Sequence, residues 1–418
     1  MSAGRNKICL LTTTHVSYNP RLVKEADALA NAGFDVRVVA VNAEPVKAAL
    51  DAALMKGRPW RLQTLDAQRG GKGHRTWLVG SVRQKLFKSF SWLQRSERGA
   101  ELALSRFLCE LTRLATAEPA DLFIGHTLQV LPVVVQAAQF FNVRAGMDFE
   151  DSFTDMRPLA APPSSEDELW TRVEKNLVHK LDYLSAASPG VAQAVADRHG
   201  ITAPLAVLNT FPLGERPLEK DFAPRPGPLR LYWFSQTVGR DRGLSEAITA
   251  LGLLPPGSAE LHLRGHCDGA GRSYLQSLVK TAGAEESSVV LHAPEAPHRM
   301  VSLAAQYDVG LALEMPVSVN RIICMRDLCT NKVFTYLLAG LALAATSEHD
   351  SGEVYAGAGF AYPHGQPEKL AAGLRRWLED PGALRVAKEK AWRLGETRFN
   401  WDLEKQKLVA AVRHALNT

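Results

Sequence analysis

No stretch of this sequence holds the roughly 18 to 20 uninterrupted apolar residues that a membrane-spanning helix needs. The apolar run that follows MSAGRNK has only the length of a strand. It is too brief for the hydrophobic region of an export signal and has no small-residue cleavage site, so none is read there. Cysteine is scarce: Cys9, Cys109, Cys267, Cys324 and Cys329 are scattered, and none forms a C-x-x-C pair. No histidine stands at zinc-finger spacing from Cys324 and Cys329, so reduced structural thiols and no metal are expected. Two glycine signatures are also missing. The loop after the first apolar run reads TTTHVSYNP, without G-x-G-x-x-G, and no G-x-x-x-x-G-K-[ST] occurs. Nicotinamide, flavin and P-loop ATPase chemistry are therefore unsupported, and no cofactor is expected.

What is present suits a large globular protein. The chain has 418 residues, 46% hydrophobic and 22% charged, enough for two domains of about 200 residues each. The net charge of +5 is mild but uneven. Between Lys56 and Arg113 basic residues outnumber acidic ones by roughly three to one, with Trp60, Trp77, Phe87, Phe90 and Trp92 among them. This insert reads either as a solvated helical excursion or as a basic amphipathic surface that touches anionic lipid headgroups. No nucleic-acid motif accompanies the charge, so nucleic acid is not an expected partner. The expected location is the cytoplasm, free or peripheral at the inner membrane face.

Strand and helix patterns alternate along the first half. Lys7 to Thr12 reads as a buried strand, Pro20 opens a helix with Leu22, Val23, Ala26, Leu29 and Ala30 on one face, and Gly33 ends it. Phe34 to Val41 is the next strand, and a strand–helix–strand unit of this length makes the two strands parallel. Asp121 to Gly125, a helix from Leu128 to Phe140, Arg144 to Met147, Leu181 to Ala186 and a helix from Pro189 to Arg198 continue the series. The proline-rich segment 210–228 has no apolar periodicity and reads as a linker. Strands follow at Leu229 to Phe234, Glu260 to Arg264, Val289 to His292, Asp308 to Leu313 and Leu341 to Thr346, with helices between them. The sequence thus predicts an α/β protein of two Rossmann-like doubly wound lobes. Residues 1–215 form the first, 228–395 the second, and a terminal helix at 396–418 packs back toward the first. In such a fold ligands sit at the carboxyl ends of the strands, in the cleft between lobes.

Several segments carry a resemblance. NPRLVKEADALANAGFDVRVVAV, DLFIGHTLQVLPVVVQAA, ASPGVAQAVADRHGI, VLNTFPL, YWFSQTVGRDRGLSEAITAL, LHLRG and TNKVFTYLLAGLALAAT follow, in order, the pattern of glycosyltransferase family 4, which has the GT-B fold. The resemblance covers almost the whole chain apart from the basic insert. It implies a retaining, metal-independent transferase that takes a sugar from a UDP- or GDP-sugar to a glycan or lipid-linked acceptor, as in surface polysaccharide synthesis. It also implies a cleft-facing histidine at His126. The family's pair of diphosphate-binding cations falls at Arg242, before Gly243, and near Thr237, where Arg240 is the available substitute. The family's ribose-binding glutamate position holds Thr335, which leaves Glu314 as the nearest carboxylate for that role.

The leaving diphosphate gains charge as its bond to the sugar breaks, so fixed cations and helix amides should converge on it. Thr330, Asn331 and Lys332 open a helix whose positive end suits an anion. A solvated first-turn lysine after an ordinary Thr330 cap is the plainer alternative. Arg242 lies in the loop after LRLYWF, where it is either a surface arginine or the second cation. Glu314 ends the strand DVGLALE and either contacts ribose or sugar or is a plain loop charge, and Asn320 and Arg321 follow it as candidates to line the sugar pocket. On the acceptor side stand His126 and the acidic run Asp148, Glu150 and Asp151. These acids bind acceptor hydroxyls, supply a base if the enzyme inverts, or merely cap a helix. His15 and Asn19 in the first loop complete the acceptor-side set. A sugar-nucleotide epimerase of the same fold and a catalytically silent sugar-nucleotide binder are the alternatives.

Overall fold

The computed structural model describes residues 5–223, 225–348 and 352–417. Pro224 of the expected linker and the first four residues lie outside them. By its contacts the chain divides into two units, Met1–Val207 with Lys405–Thr418, and Leu208–Glu404.

The first unit runs β1 (Lys7–Leu11), α1 (Pro20–Asn31), β2 (Asp35–Asn42), α2 (Pro45–Leu54), β3 (Arg61–Asp66), α3 (His74–Ser89), α4 (Glu97–Leu104) and α5 (Leu108–Ala115). It continues with β4 (Leu122–Gly125), α6 (Leu131–Phe141), β5 (Arg144–Phe149), α7 (Ser165–Val178), β6 (Tyr183–Ala186), α8 (Pro189–His199) and β7 (Leu205–Ala206). All seven strands are parallel, in the order β3-β2-β1-β4-β5-β6-β7. The reversal beside β1 sets the loops after β1 and β4 next to each other at the carboxyl edge, where such folds bind ligands.

The basic insert differs from its reading as a helical excursion. Its first part is β3, which pairs with β2 from Arg37↔Arg61 to Asn42↔Asp66. An edge strand with mixed exposure lacks the continuous apolar run of its neighbours, so periodicity hides it. Trp60 is buried and donates its indole N–H to Asp27 Oδ1 at 2.8 Å.

The second unit contains β8 (Leu229–Thr237), α9 (Leu244–Gly252), β9 (Ala259–His266), α10 (Gly269–Ala282), β10 (Val289–His292), α11 (Met300–Ala304), β11 (Val309–Ala312), α12 (Val319–Asp327) and α13 (Asn331–Ala339). β12 (Ala342–Ser347), β13 (Gly352–Val354), β14 (Gly359–Pro363), α14 (Pro367–Glu379), α15 (Pro381–Thr397) and α16 (Trp401–Asn417) complete the chain. The sheet order is β10-β9-β8-β11-β12-β14-β13, with only β13 antiparallel. Most of the linker stays outside regular structure, but its Lys220 ammonium donates to the carbonyls of Ala339 and Gly340, at 2.6 Å each. It thereby caps the end of α13 whose carbonyls lack helical partners. Among the described residues no helix is long and apolar enough to cross a membrane.

Candidate functional sites at the sheet edges

In the first unit, His126 follows β4, and its N–H donates to Leu11 O of β1 at 2.9 Å, continuing the ladder beyond β4. The imidazole has no exposed surface. Nδ1 lies 3.1 Å from Glu150 Oε1 and 3.5 Å from Asp148 Oδ2. Nε2 lies 3.0 Å from Glu25 Oε2, an ion-pair distance without hydrogen-bond geometry. Burial by itself would lower the ring's pKa. The charges of Glu25 and Asp148 and the hydrogen bond to Glu150 outweigh it, so the imidazole is pushed up to about 10. His126 is thus an imidazolium at neutral pH, a donor rather than a base.

Asp148 is clamped by Arg21, which donates from Nε at 2.5 Å and Nη2 at 2.8 Å, and by Ser185 Oγ at 2.6 Å. Burial would raise its carboxyl, but Arg21 and these hydrogen bonds hold it down to about 2. Glu25, His126 and Asp148 bring their ligand atoms within 4.8 Å of one another, a donor set chemically suited to a cation. The positive charge there is already supplied by Arg21 and protonated His126. Buried Asp148 is a structural counter-ion; Glu150, with a quarter of its side chain exposed, is the member that can reach a ligand. Asp151 is half-buried beside it.

Two acceptor-side residues turn out to hold the first loop together. His15 Nε2 accepts from the amides of Ala43 and Glu44 at 3.1 and 3.2 Å. The proton therefore sits on Nδ1, which donates to Asp51 Oδ2 at 2.7 Å. Asn19 caps α1, its Oδ1 accepting from Leu22 N at 3.0 Å. Both side chains are buried and spent. Glu25 and Arg21 escaped the sequence reading. The clue was available: two charges one turn apart on α1, flanked by Leu22, Ala26 and Leu29 on the face that packs inward.

In the second unit Glu314 stands just beyond β11. Thr346 of β12 fixes its backbone, accepting from Glu314 N at 2.7 Å and donating to Glu314 O at 2.9 Å. Its carboxylate receives Lys332 Nζ on Oε1 and Arg321 Nη1 on Oε2, each at 3.2 Å. Three residues from three successive segments thus meet at one point. Asn320 and Arg321 lie on α12, not in an irregular stretch, because Ser318 Oγ accepts from Arg321 N at 3.2 Å and starts that helix. Asn320 is buried.

Lys332 lies in the first turn of α13, its Nζ 5.8 Å from the centre of the Trp233 ring on β8. Thr330 occupies the N-cap position yet makes no capping bond, and its hydroxyl is buried without a partner. The leading amides of α13 therefore have no side-chain cap, and Asn331 is exposed beside them. Thr335 is fully buried and donates to Asn331 O at 2.8 Å, so its hydroxyl is used inside its own helix.

The loop from β8 to α9 reaches the same edge. Gly243 has φ 72°, and a Cβ there would stand 2.8 Å from Leu313 Cβ, the residue before Glu314. Arg242 is half-exposed, with Nη2 3.4 Å from Thr237 Oγ1. Arg240 lies instead over the Tyr274 ring at 4.6 Å.

No family model matches the sequence, and no curated protein matches it. Solved structures do. Sucrose-phosphate synthase from Thermosynechococcus elongatus matches with a TM-score of 0.69 at 17% identity, over 98% of this chain and 99% of that one. Anabaena HepE, solved in complex with UDP and glucose, gives 0.67 at 15% over 98% and 100%. The lipopolysaccharide outer core galactosyltransferase WaaB, in its apo form, gives 0.60 at 12% over 98% and 99%. At such identities the likeness establishes the architecture, and the chain has the α/β GT-B fold of two Rossmann-like units that these structures share.

Proposed function

We propose that this protein is a nucleotide-sugar-dependent glycosyltransferase whose second unit holds the donor diphosphate. The observation that carries the reading is the convergence of Lys332, Arg321 and the uncapped start of α13 around Glu314, with the Gly243 loop packed on Leu313. HepE, of the same fold, has been solved with UDP-glucose, which supports a nucleotide-sugar as the donor here; a UDP- or GDP-sugar is the proposed class. Lys332 and Arg242 face the departing phosphate charge, the α13 amides add their dipole, and Glu314 accepts from sugar or ribose hydroxyls.

In the proposed reaction the bond between the sugar C1 and the phosphate oxygen breaks, and its electron pair leaves on the diphosphate. The acceptor oxygen forms the new bond to C1 on the same face and passes its proton to a donor phosphate oxygen. No protein base is then needed, in keeping with a His126 that holds its own proton. On the first unit, the imidazolium positions Glu150, whose accessible carboxylate binds a hydroxyl of the acceptor. A glycan or lipid-linked acceptor, surface polysaccharide synthesis and a peripheral position at an anionic membrane belong to the same reading.

The test is incubation with UDP- and GDP-sugars with and without acceptor extract. Nucleotide release that depends on acceptor supports the transferase. Isomerisation without release supports an epimerase, and binding without turnover a silent protein. Lys332→Ala should slow turnover about a hundredfold or more at saturating donor, the typical loss on removing one charge-stabilising donor. A near-normal rate would take Lys332 out of the site.

A further inference from the structure

Helix α3 is docked with the wrong face outward for a solvated helix. Its inner side carries Gly80, Arg83 and Gln84 between the half-buried Trp77 and Phe87. Gly80 lets the backbone approach Phe107, where a Cβ would meet the ring at 2.8 Å. Gln84 donates to the carbonyls of Ala103 and Leu104 at 3.1 and 3.0 Å. Arg83 makes a two-pronged pair with Glu110, at 3.0 and 2.5 Å. The outer side carries Leu78, Val79, Val82 and Leu86, followed by Phe90 and Trp92, from 45% exposed at Val79 to 63% at Trp92. A surface helix ordinarily points its apolar stripe at the core. A contiguous stripe turned to solvent marks a surface that something else covers.

The charges say what covers it. From Ala67 to Ser96 the chain has no acidic residue, while Arg69, Lys72, Arg75, Lys85 and Arg95 are exposed. Cations beside an outward apolar ridge, with an exposed tryptophan at its end, are the makeup of a helix that lies in a bilayer interface. The long lysine and arginine stems can follow the apolar surface while their heads reach phosphates. A second copy of this chain fits poorly, because a symmetric contact would bring two acid-free stretches face to face.

We propose that α3 is the membrane-docking element, its Leu78–Val82–Leu86 ridge buried among the acyl chains of an anionic leaflet. This deepens the membrane part of the reading above and names the surface that makes the contact. The test is flotation of the full chain with phosphatidylglycerol-containing and with pure phosphatidylcholine vesicles. The protein should partition at least tenfold more strongly to the anionic vesicles. The triple variant Leu78→Ser/Val82→Ser/Leu86→Ser should lose at least tenfold of that binding with its melting temperature and its nucleotide-induced shift retained. Lys72→Gln/Arg75→Gln/Lys85→Gln should lose the salt-sensitive part. Failure of the wild type to float, or unchanged flotation of the serine variant, overturns the proposal. So does a wild-type dimer that the serine variant dissolves, since the occupant is then a second copy. Nucleotide stabilisation measured on the same preparations reports separately on the transferase reading.

Discussion

Burial alone would strip the proton from His126, yet the carboxylates around it keep the ring charged up to about pH 10. Its pKa is raised above the ordinary 6.5, so its stabilisation is complete below about 6.5 and is lost as pH climbs toward about 10. Asp148 works in the other sense. Its carboxyl is lowered from 3.8, and its stabilisation is lost as pH falls toward about 2. Replacing His126 with Gln removes a buried cation and leaves Glu25 and Asp148 short of a partner, an expected loss of about 3–5 kcal/mol. The wild type should lose stability between about pH 6.5 and 10, whereas His126→Gln should be flatter over that range. Urea unfolding of both proteins across those pH values checks it, and parallel profiles would mean that the ring is uncharged. Little of this cluster was legible beforehand. His126 and the acidic run stood out as chain-local features, but Glu25 and Arg21 reach them only through the parallel order β1-β4-β5, which no local pattern encodes.

Elements were read best where the chain is punctuated. Pro20 and Gly33 bracket α1, and Gly340, with φ 67°, ends α13. β3 and α12 were missed because neither has an apolar run or a clean period; a sheet edge and a serine cap form them instead. α3 shows the same limit more sharply. Trp77 and Phe87 are half-buried on one side and Leu78, Val82 and Leu86 exposed on the other, so both faces hold apolar groups and only docking tells them apart. The loop at Gly243 yields a prediction at this scale. Gly243→Ala forces a side chain into the left-handed region and against Leu313, and should cost more than about 1 kcal/mol. Because Leu313 adjoins Glu314, donor affinity should weaken as well. Thermal melting and nucleotide titration of the variant measure the two effects. Retained affinity in a destabilised variant would detach the loop from the donor site.

At the scale of the molecule, the chain repeats one architecture, a largely parallel sheet with the reversal beside its first strand, and gives each copy a different charge logic. In unit Met1–Val207 with Lys405–Thr418 the cations of the His126 cluster, Arg21 and His126 itself, are consumed by buried carboxylates. In unit Leu208–Glu404, Lys332 and Arg321 share the single carboxylate of Glu314 at a sheet edge. An arriving diphosphate can compete for them without breaking a core. Each unit has its own hydrophobic core, so ligand stabilisation need not be uniform. Free UDP- or GDP-sugar at about 100 times its Kd should add about 2.7 kcal/mol to whichever unit binds it. Hydrogen exchange is therefore expected to slow at 235–243, 313–321 and 330–334, with amides around His126 and Asp148 unchanged while no acceptor is present. Protection confined to the first unit would move the donor away from Lys332 and leave the cations of Glu314 with a purely structural part.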